Sequence, residues 1–317
     1  MKKDLAKSWD KMALPMGIAA VFIWAIGPTF IRGLTEGLGL FTAGALPNLI
    51  AGALVLLHKA KTVGLGGLRE TPKAYWLACG LTFLAFSIAV NLSVGLAYTR
   101  EQVVTSGLLR LIWPVLTLIL TIPLHKKRVS KWFIASVSLS FIGIILGNYT
   151  EGLGPLALAQ SFVDTWMPSL IALISSIVWA FYSNYLGKYV KTPKEDHLGL
   201  LMLLSGVIQG ILALLLRETP QFTLGQIGGV LYMAIVTGFF ANIFWVRAMR
   251  SRHGHAVILF ANLTPLISTV AVGLTLGVAL TLPLVIGSAL VAAGTLWSKF
   301  CFLPDAEAEK NMQQHAK

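Results

Sequence analysis

A single arginine, Arg110, stands near the middle of an apolar stretch that runs from Gln102 to Thr121. A charge at the centre of a membrane helix costs about 2.5–3.5 kcal/mol on insertion scales. No acidic residue lies deep in any apolar segment to offset it. Arg110 is therefore expected to face a water-filled cavity, where an anionic group could meet it. On one continuous helix, Ser106, Arg110, Trp113 and Thr117 would fall at i, i+4, i+7 and i+11 and share a face. Such a stripe on an otherwise apolar helix predicts a cavity wall. The plainer alternative is that the hydroxyls bond their own helix while the tryptophan packs.

A second stretch repeats the pattern, with Ser175, Trp179 and Tyr182 at i, i+4 and i+7, and Trp24 occupies the matching place in the first apolar stretch. Large rings at mid-membrane depth offer stacking surfaces, and Trp and Tyr add a hydrogen-bonding tip. The remaining candidates for a binding surface are Phe86, Ser87 and Asn91, then Thr237, Asn242 and Trp245, then Asn262, Thr264 and Ser268. Amides and hydroxyls within helices can bind a zwitterion, or can serve as interhelical glue. Pro28, Pro114 and Pro265 interrupt backbone bonding inside apolar stretches and are candidate hinges or static kinks. No carboxylate is placed to relay a proton or sodium ion. His125, His253 and His255 fall in basic connections and read as solvated loop residues. No catalytic constellation, metal-ligand spacing or phosphate-binding loop is present. Cys79 and Cys301 fall in different stretches and predict no structural disulfide.

The elements that must hold these residues follow from composition. The 317 residues are 56% hydrophobic and only 12% charged, with a mean hydropathy of +0.76. Soluble domains carry about 25% charged residues, so a membrane protein is expected. Ten apolar stretches are long enough to span: 13–33, 40–57, 74–93, 102–121, 132–149, 167–187, 198–216, 226–246, 257–279 and 283–300. The net charge of +12 would point to nucleic acid in a soluble chain, but here the basic residues alternate by connection. Threading the ten spans puts 21 of the 25 Lys and Arg residues on one side, leaves Arg32, Arg100 and Arg217 on the other, and Arg110 inside. Basic residues favour the cytoplasm, which places both termini there. The basic N-terminus lacks a small-residue cleavage site and reads as an uncleaved first helix.

The chain also looks duplicated. Pro114 and Pro265 are 151 residues apart, as are Gly143 and Gly294, and Trp24 and Trp179 are 155 apart. Five spans per half force opposite orientations of the halves, the plan that sets a transporter's binding site between repeats near the midplane.

The segments "FIRGLTEGLG" after the first span, "AYTREQ" leading into "LIWPVLT", "WAFYSNYLGKY" in the sixth, and Trp245 ahead of "TPLIST" resemble the drug/metabolite transporter superfamily with two EamA-type repeats. Within it they look most like the branch of bacterial exporters for aromatic amino acids and paraquat. The resemblance spans nearly the whole chain. It implies ten helices, a central cavity, alternating access, and Phe86, Trp113 and Trp179 on the cavity wall. Many members carry Gly-Glu after the fourth and ninth helices, where this chain has "HKKR" and "GVAL". Arg110 is a departure that favours a carboxylate and disfavours cationic drugs.

The expected fold is thus an all-α membrane protein of ten transmembrane helices, arranged as two inverted five-helix repeats around a central cavity. Residues 1–150 form the first repeat, 151–166 an extracytoplasmic linker, 167–303 the second repeat and 304–317 a cytoplasmic tail. The expected function is facilitative export of amino acids, most simply Phe, Tyr or Trp, across a bacterial inner membrane. Arg110 would take the carboxylate; Trp113, Trp179 and Phe86 the side chain; Asn91 and Tyr182 hydrogen bonds. Trp24, Trp245 and Asn262 would line the same cavity. No cofactor, metal or nucleic acid is expected, only a small amphiphile and lipid, and the protein is expected as a monomer. Two alternatives remain open: broader drug or metabolite efflux, and a non-transporting scaffold or membrane enzyme.

Overall fold

A computed structural model describes residues 2–68, 70–147, 166–190, 192–249, 251, 257 and 260–303. Most of the expected linker, the tail after 303, and His253 and His255 lie outside the described residues. In hydrocarbon every backbone N–H and C=O must be satisfied within the chain, and helices provide this almost throughout. They are α1 (Lys2–Leu38), α2 (Thr42–Thr62), α3 (Lys73–Gly95), α4 (Arg100–Arg110), α5 (Trp113–His125), α6 (Trp132–Gly147), α7 (Trp166–Tyr189), α8 (Leu198–Leu215), α9 (Leu224–Ala248), α10 (Thr264–Leu276) and α11 (Leu282–Phe300). Among the described residues no strand occurs, only an isolated bridge between Val129 and Phe302. Eight of the ten expected spans are helices long and apolar enough to cross a membrane, counting α4 and α5 as one; α6 and α10 are shorter. Exposed apolar side chains such as Leu77, Ile134 and Leu214 coat the outside, as a lipid environment requires.

The fourth span is not one continuous helix. α4 stops at Arg110, and Leu111 (φ −77°, ψ 0°) and Ile112 (φ −79°, ψ −6°) form a turn before α5. The cause is Pro114, which has no N–H to return to the carbonyl of Arg110, four residues back. The hydroxyl of Ser176, from α7, lies 2.7 Å from that carbonyl and 2.8 Å from that of Leu109, and gives its proton to one or the other. Pro265 makes the same break 151 residues later. Asn262 and Leu263 form the turn, and the hydroxyl of Thr264 donates to the freed carbonyl of Ala261 at 2.5 Å. Widened helical turns with i→i+5 bonding also recur at matching places, over Trp76–Gly80 in α3 and Tyr232–Phe240 in α9. Pro28 behaves differently, because α1 runs through it without interruption.

Packing sorts the helices into two bundles and two close pairs. α1 packs on α9 and α10, and α7 packs on α3, α4 and α5. The pair α2–α8 bridges the bundles on one flank, with α2 against α9 and α8 against α3; the pair α6–α11 does so on the other. Both pairs depend on backbone contact. A Cβ at Gly52 would lie 2.7 Å from the Leu203 nitrogen, and one at Gly143 would lie 2.5 Å from the Gly287 oxygen. Such approach is how membrane helices gain packing without a hydrophobic drive.

The α2–α8 pair is also pinned at both ends. At one end the Glu218 carboxylate accepts from the backbone N–H groups of Phe41 and Thr42, each at 2.8 Å, and from the Thr42 hydroxyl at 2.7 Å. A carboxylate there satisfies orphan donors and complements the helix dipole of α2. At the other end the Lys59 ammonium donates to the carbonyls of Lys194 (2.9 Å) and Asp196 (2.5 Å), and contacts Nδ1 of His197 at 3.1 Å. His197 is 2% exposed, and burial, helped by the Lys59 charge and opposed by Asp196, holds its imidazole below the usual histidine range.

Candidate functional site

Arg110 ends α4 at the seam where the two bundles meet. Its cleft is narrow, with a volume of about 10 Å³, and is lined by Pro28 from α1, by Val103, Val104, Gly107 and Leu111 around α4, and by Ser268, Thr269 and Val272 from α10. A Cβ built on Gly107 meets nothing within 4 Å, so no neighbour packs against α4 at that position. The Arg110 side chain is half-buried. It makes no ion pair or hydrogen bond among the described residues, where the salt bridges are those of Arg32 and Arg100 with Glu36. A cation without a partner is costly where solvent is scarce, and an anion in the cleft would offset that cost.

The aromatic candidates gather on the other side of the break, within the α7 bundle. The rings of Phe86 and Trp179 lie 4.3 Å apart, centroid to centroid. Trp113, the first residue of α5, meets Trp179 edge-on at 6.3 Å and 86°. Tyr182 sits behind, 5.1 Å from Trp179 and 5.4 Å from Phe83. The indole N–H groups of Trp113 and Trp179 make no hydrogen bond among the described residues, and neither atom is fully buried. The aromatic cluster and the Arg110 cleft share no lining residue; the chain joins them through the turn between Arg110 and Trp113.

Other expected residues sit elsewhere. Trp24 and Trp245 pair with each other at 5.4 Å in the α1 bundle, and the Trp24 indole donates to the Thr237 carbonyl at 3.3 Å. Asn91 is 6% exposed and donates to Gln209 at 2.8 Å. Gln209 in turn donates to Ser205 and Ser87, so Asn91 belongs to a polar network between α3 and α8. Asn262 lies buried in the second helix break. Of the hinge prolines, Pro114 and Pro265 flank the two breaks and Pro28 lines the arginine cleft.

The expected single face of Ser106, Arg110, Trp113 and Thr117 is corrected by the break, because the turn at Leu111–Ile112 ends the register on which that face depends. Ser106 and Thr117 bond their own helix, to the carbonyls of Gln102 and Trp113 at 2.5 and 2.7 Å. Ser176, not its neighbour Ser175, supports the break; Ser175 donates to Ala172 in its own helix. Only the identity of Pro114, which predicts a freed carbonyl needing a donor, could have pointed to Ser176. Among the described residues no cluster of His, Cys, Asp and Glu could hold a metal.

Comparison with known proteins places the chain. It is 26% identical over 295 residues to the aromatic amino acid exporter YddG of Salmonella typhimurium, covering 90% of this chain and 96% of that one. It is 25% identical to the protein of the same name from Escherichia coli, covering 89% and 94%. It is 23% identical to the uncharacterized transporter YyaM of Bacillus subtilis. A crystal structure with 19% identity and a TM-score of 0.66 shares the fold over 90% of this chain and 98% of that one. The model of the EamA-like transporter family matches twice, at residues 11–149 and 166–299. The chain therefore belongs to the EamA-like transporter family: it is a multi-pass membrane transporter for a small molecule, and not an enzyme.

Proposed function

We propose that the protein exports aromatic amino acids across the bacterial inner membrane by alternating access. The observation that carries this reading is the Phe86–Trp179–Trp113 cluster with its two unpaired indole N–H groups, separated by one turn from the unpaired Arg110. An aromatic amino acid has the matching parts, a ring at one end and a carboxylate at the other. Arg110 takes the carboxylate as a charge-assisted pair. Phe86, Trp113 and Trp179 take the ring, and Tyr182 backs them with a hydroxyl. Asn91, through Gln209, holds α3 against α8, while Trp24, Trp245 and Asn262 complete the opposite wall when the bundles rock. The two similar exporters named for aromatic amino acids support this substrate class.

In this reading residues 1–150 and 167–303 are two inverted repeats of five spans, joined by an outer linker at 151–166, with a cytoplasmic tail from 304. The matched proline breaks and the two matched family stretches support it. The alternation of basic connections supports cytoplasmic termini. The bundles α1–α9–α10 and α3–α5–α7 are the moving bodies, the pairs α2–α8 and α6–α11 the pivots, and the breaks at Pro114 and Pro265 the hinges. No relay carboxylate is placed for coupling, so flux runs down the substrate gradient, through a monomer.

A second reading is export of another small anionic metabolite, favoured by the absence of aromatic side chains from the walls of the arginine cleft. Trp179→Ala separates the two. Aromatic ring pairs contribute about 0.5–1.5 kcal/mol beyond the area they bury, so the substitution should lower kcat/KM for Phe and Trp about tenfold and leave a small aliphatic amino acid nearly unchanged. Equal losses for both substrates would remove the ring-binding role.

A further inference from the structure

At one end of the molecule a charge cluster crosses the seam between the bundles. Arg32, on α1, is 9% exposed. Its Nη1 donates to the carbonyls of Ala97 at 2.6 Å and Val94 at 3.2 Å, at the end of α3. Its Nε donates to Glu36 at 2.7 Å, and the other oxygen of Glu36 accepts from Arg100, the first residue of α4, at 3.2 Å. Because α1 belongs to one bundle and α3 and α4 to the other, the cluster holds the two together. Beneath it lies an apolar plug of Ile31, Val94, Ala97 and Val103, packed against Met233 and Leu276. Val103 also lines the Arg110 cleft, so the plug and the charge cluster lie between that cleft and this end.

We propose that Arg32, Glu36 and Arg100 form the outer gate of the transporter, closed in this structure. The inference rests on the transport reading and on the cytoplasmic placement of the opposite, lysine-rich end. The parts divide the work physically. Arg32 is buried and satisfied by two carbonyls and a carboxylate, so it supplies the strong, directional part of the closure. The Glu36–Arg100 pair is more exposed, with side chains 38% and 53% accessible, and supplies a weaker contact that water can replace. When the bundles part at this end, the entering water accepts the bonds that Arg32 gave to the Val94 and Ala97 carbonyls. The gate can therefore open without stranding a charge. Glu36 is the element shared by both arginines, and its neutralisation removes the link from Arg32 to Arg100.

The test reads access, not transport. Cys79 and Cys301 are replaced by alanine in the full chain, and Gly107→Cys is introduced beside Arg110, where a side chain meets open space. A membrane-impermeant maleimide is then added outside intact cells. Labelling should be slow, and at least tenfold faster with Arg32→Gln, which removes the charged bonds to the Val94 and Ala97 carbonyls; Arg100→Gln, which spares those bonds and removes only the contact with Glu36, should give a smaller rise. In a chain whose only thiol is the buried Cys79, Arg32→Gln should leave labelling absent, which separates gate opening from unfolding. Fast outside labelling before any gate substitution, an unchanged rate with Arg32→Gln, or labelling of Cys79 would each overturn the gate. No substrate enters this measurement, so the gate can fail while amino acid export stands, and the reverse.

Discussion

Arg110→Ala lowers amino acid export at least about tenfold while the protein still folds. Hydrogen bonds to charged groups contribute about 1.5–3 kcal/mol each, and a guanidinium can offer a carboxylate two of them in parallel. Because Arg110 has no partner within the described protein, its removal breaks no internal ion pair. It also relieves the cost of holding a cation in an apolar segment. The loss should therefore fall on transport, with thermal stability equal to or above that of the wild type. Arg110→Lys keeps the charge but not the fork, and should retain an intermediate rate. Initial export rates and melting temperatures of the three proteins check this. A drop in stability parallel to the drop in flux would show that Arg110 holds the fold and does not hold the substrate.

Gly287→Val leaves little or no folded protein. A Cβ at Gly287 would lie 2.4 Å from the Gly147 nitrogen and 2.5 Å from both the Gly147 Cα and the Gly143 oxygen. All three atoms are backbone, so no side-chain rotation can make room, and α6 and α11 must separate. Separation exposes a further contact in the same pair, the Ser136–Ser298 hydroxyl bond at 2.9 Å. Overpacking costs about 1–3 kcal/mol even where side chains can adjust, and a rigid helix contact lies at or above that range. Gly107→Ala is the counterpart, since an added methyl there meets nothing and alanine gains up to about 1 kcal/mol in a helix. Size-exclusion profiles and melting temperatures should therefore diverge, with Gly107→Ala folded and Gly287→Val aggregated or absent.

Much of this was legible from residue types alone. A chain this apolar pointed to membrane-spanning helices, and a lone arginine at mid-span drew attention to Arg110, which lines the seam cleft. Pro114 and Pro265 marked the two breaks, because each lacks the N–H that would bond the carbonyl four residues back, although α1 continues through Pro28. What could not be read was how the breaks are healed and which helices meet. The face drawn through Ser106, Arg110, Trp113 and Thr117 assumed a helix running past Pro114, and the turn at Leu111–Ile112 cancels it. Ser176 serves a carbonyl 66 residues away and Asn91 an amide 118 away, partnerships that helical periodicity cannot encode. From the sequence Arg32 and Arg100 were only basic residues on the outer side; their meeting at Glu36 depends on how α1 packs against α3 and α4.

The most direct test of the account is flux into liposomes containing the purified protein, with and without an imposed proton gradient, for Phe, Trp, Thr, uracil and methyl viologen. Saturable movement of Phe and Trp that ignores the gradient, with methyl viologen excluded, is the predicted result. Movement of the other compounds without Phe or Trp, or flux that requires the proton gradient, would contradict a facilitative exporter of aromatic amino acids.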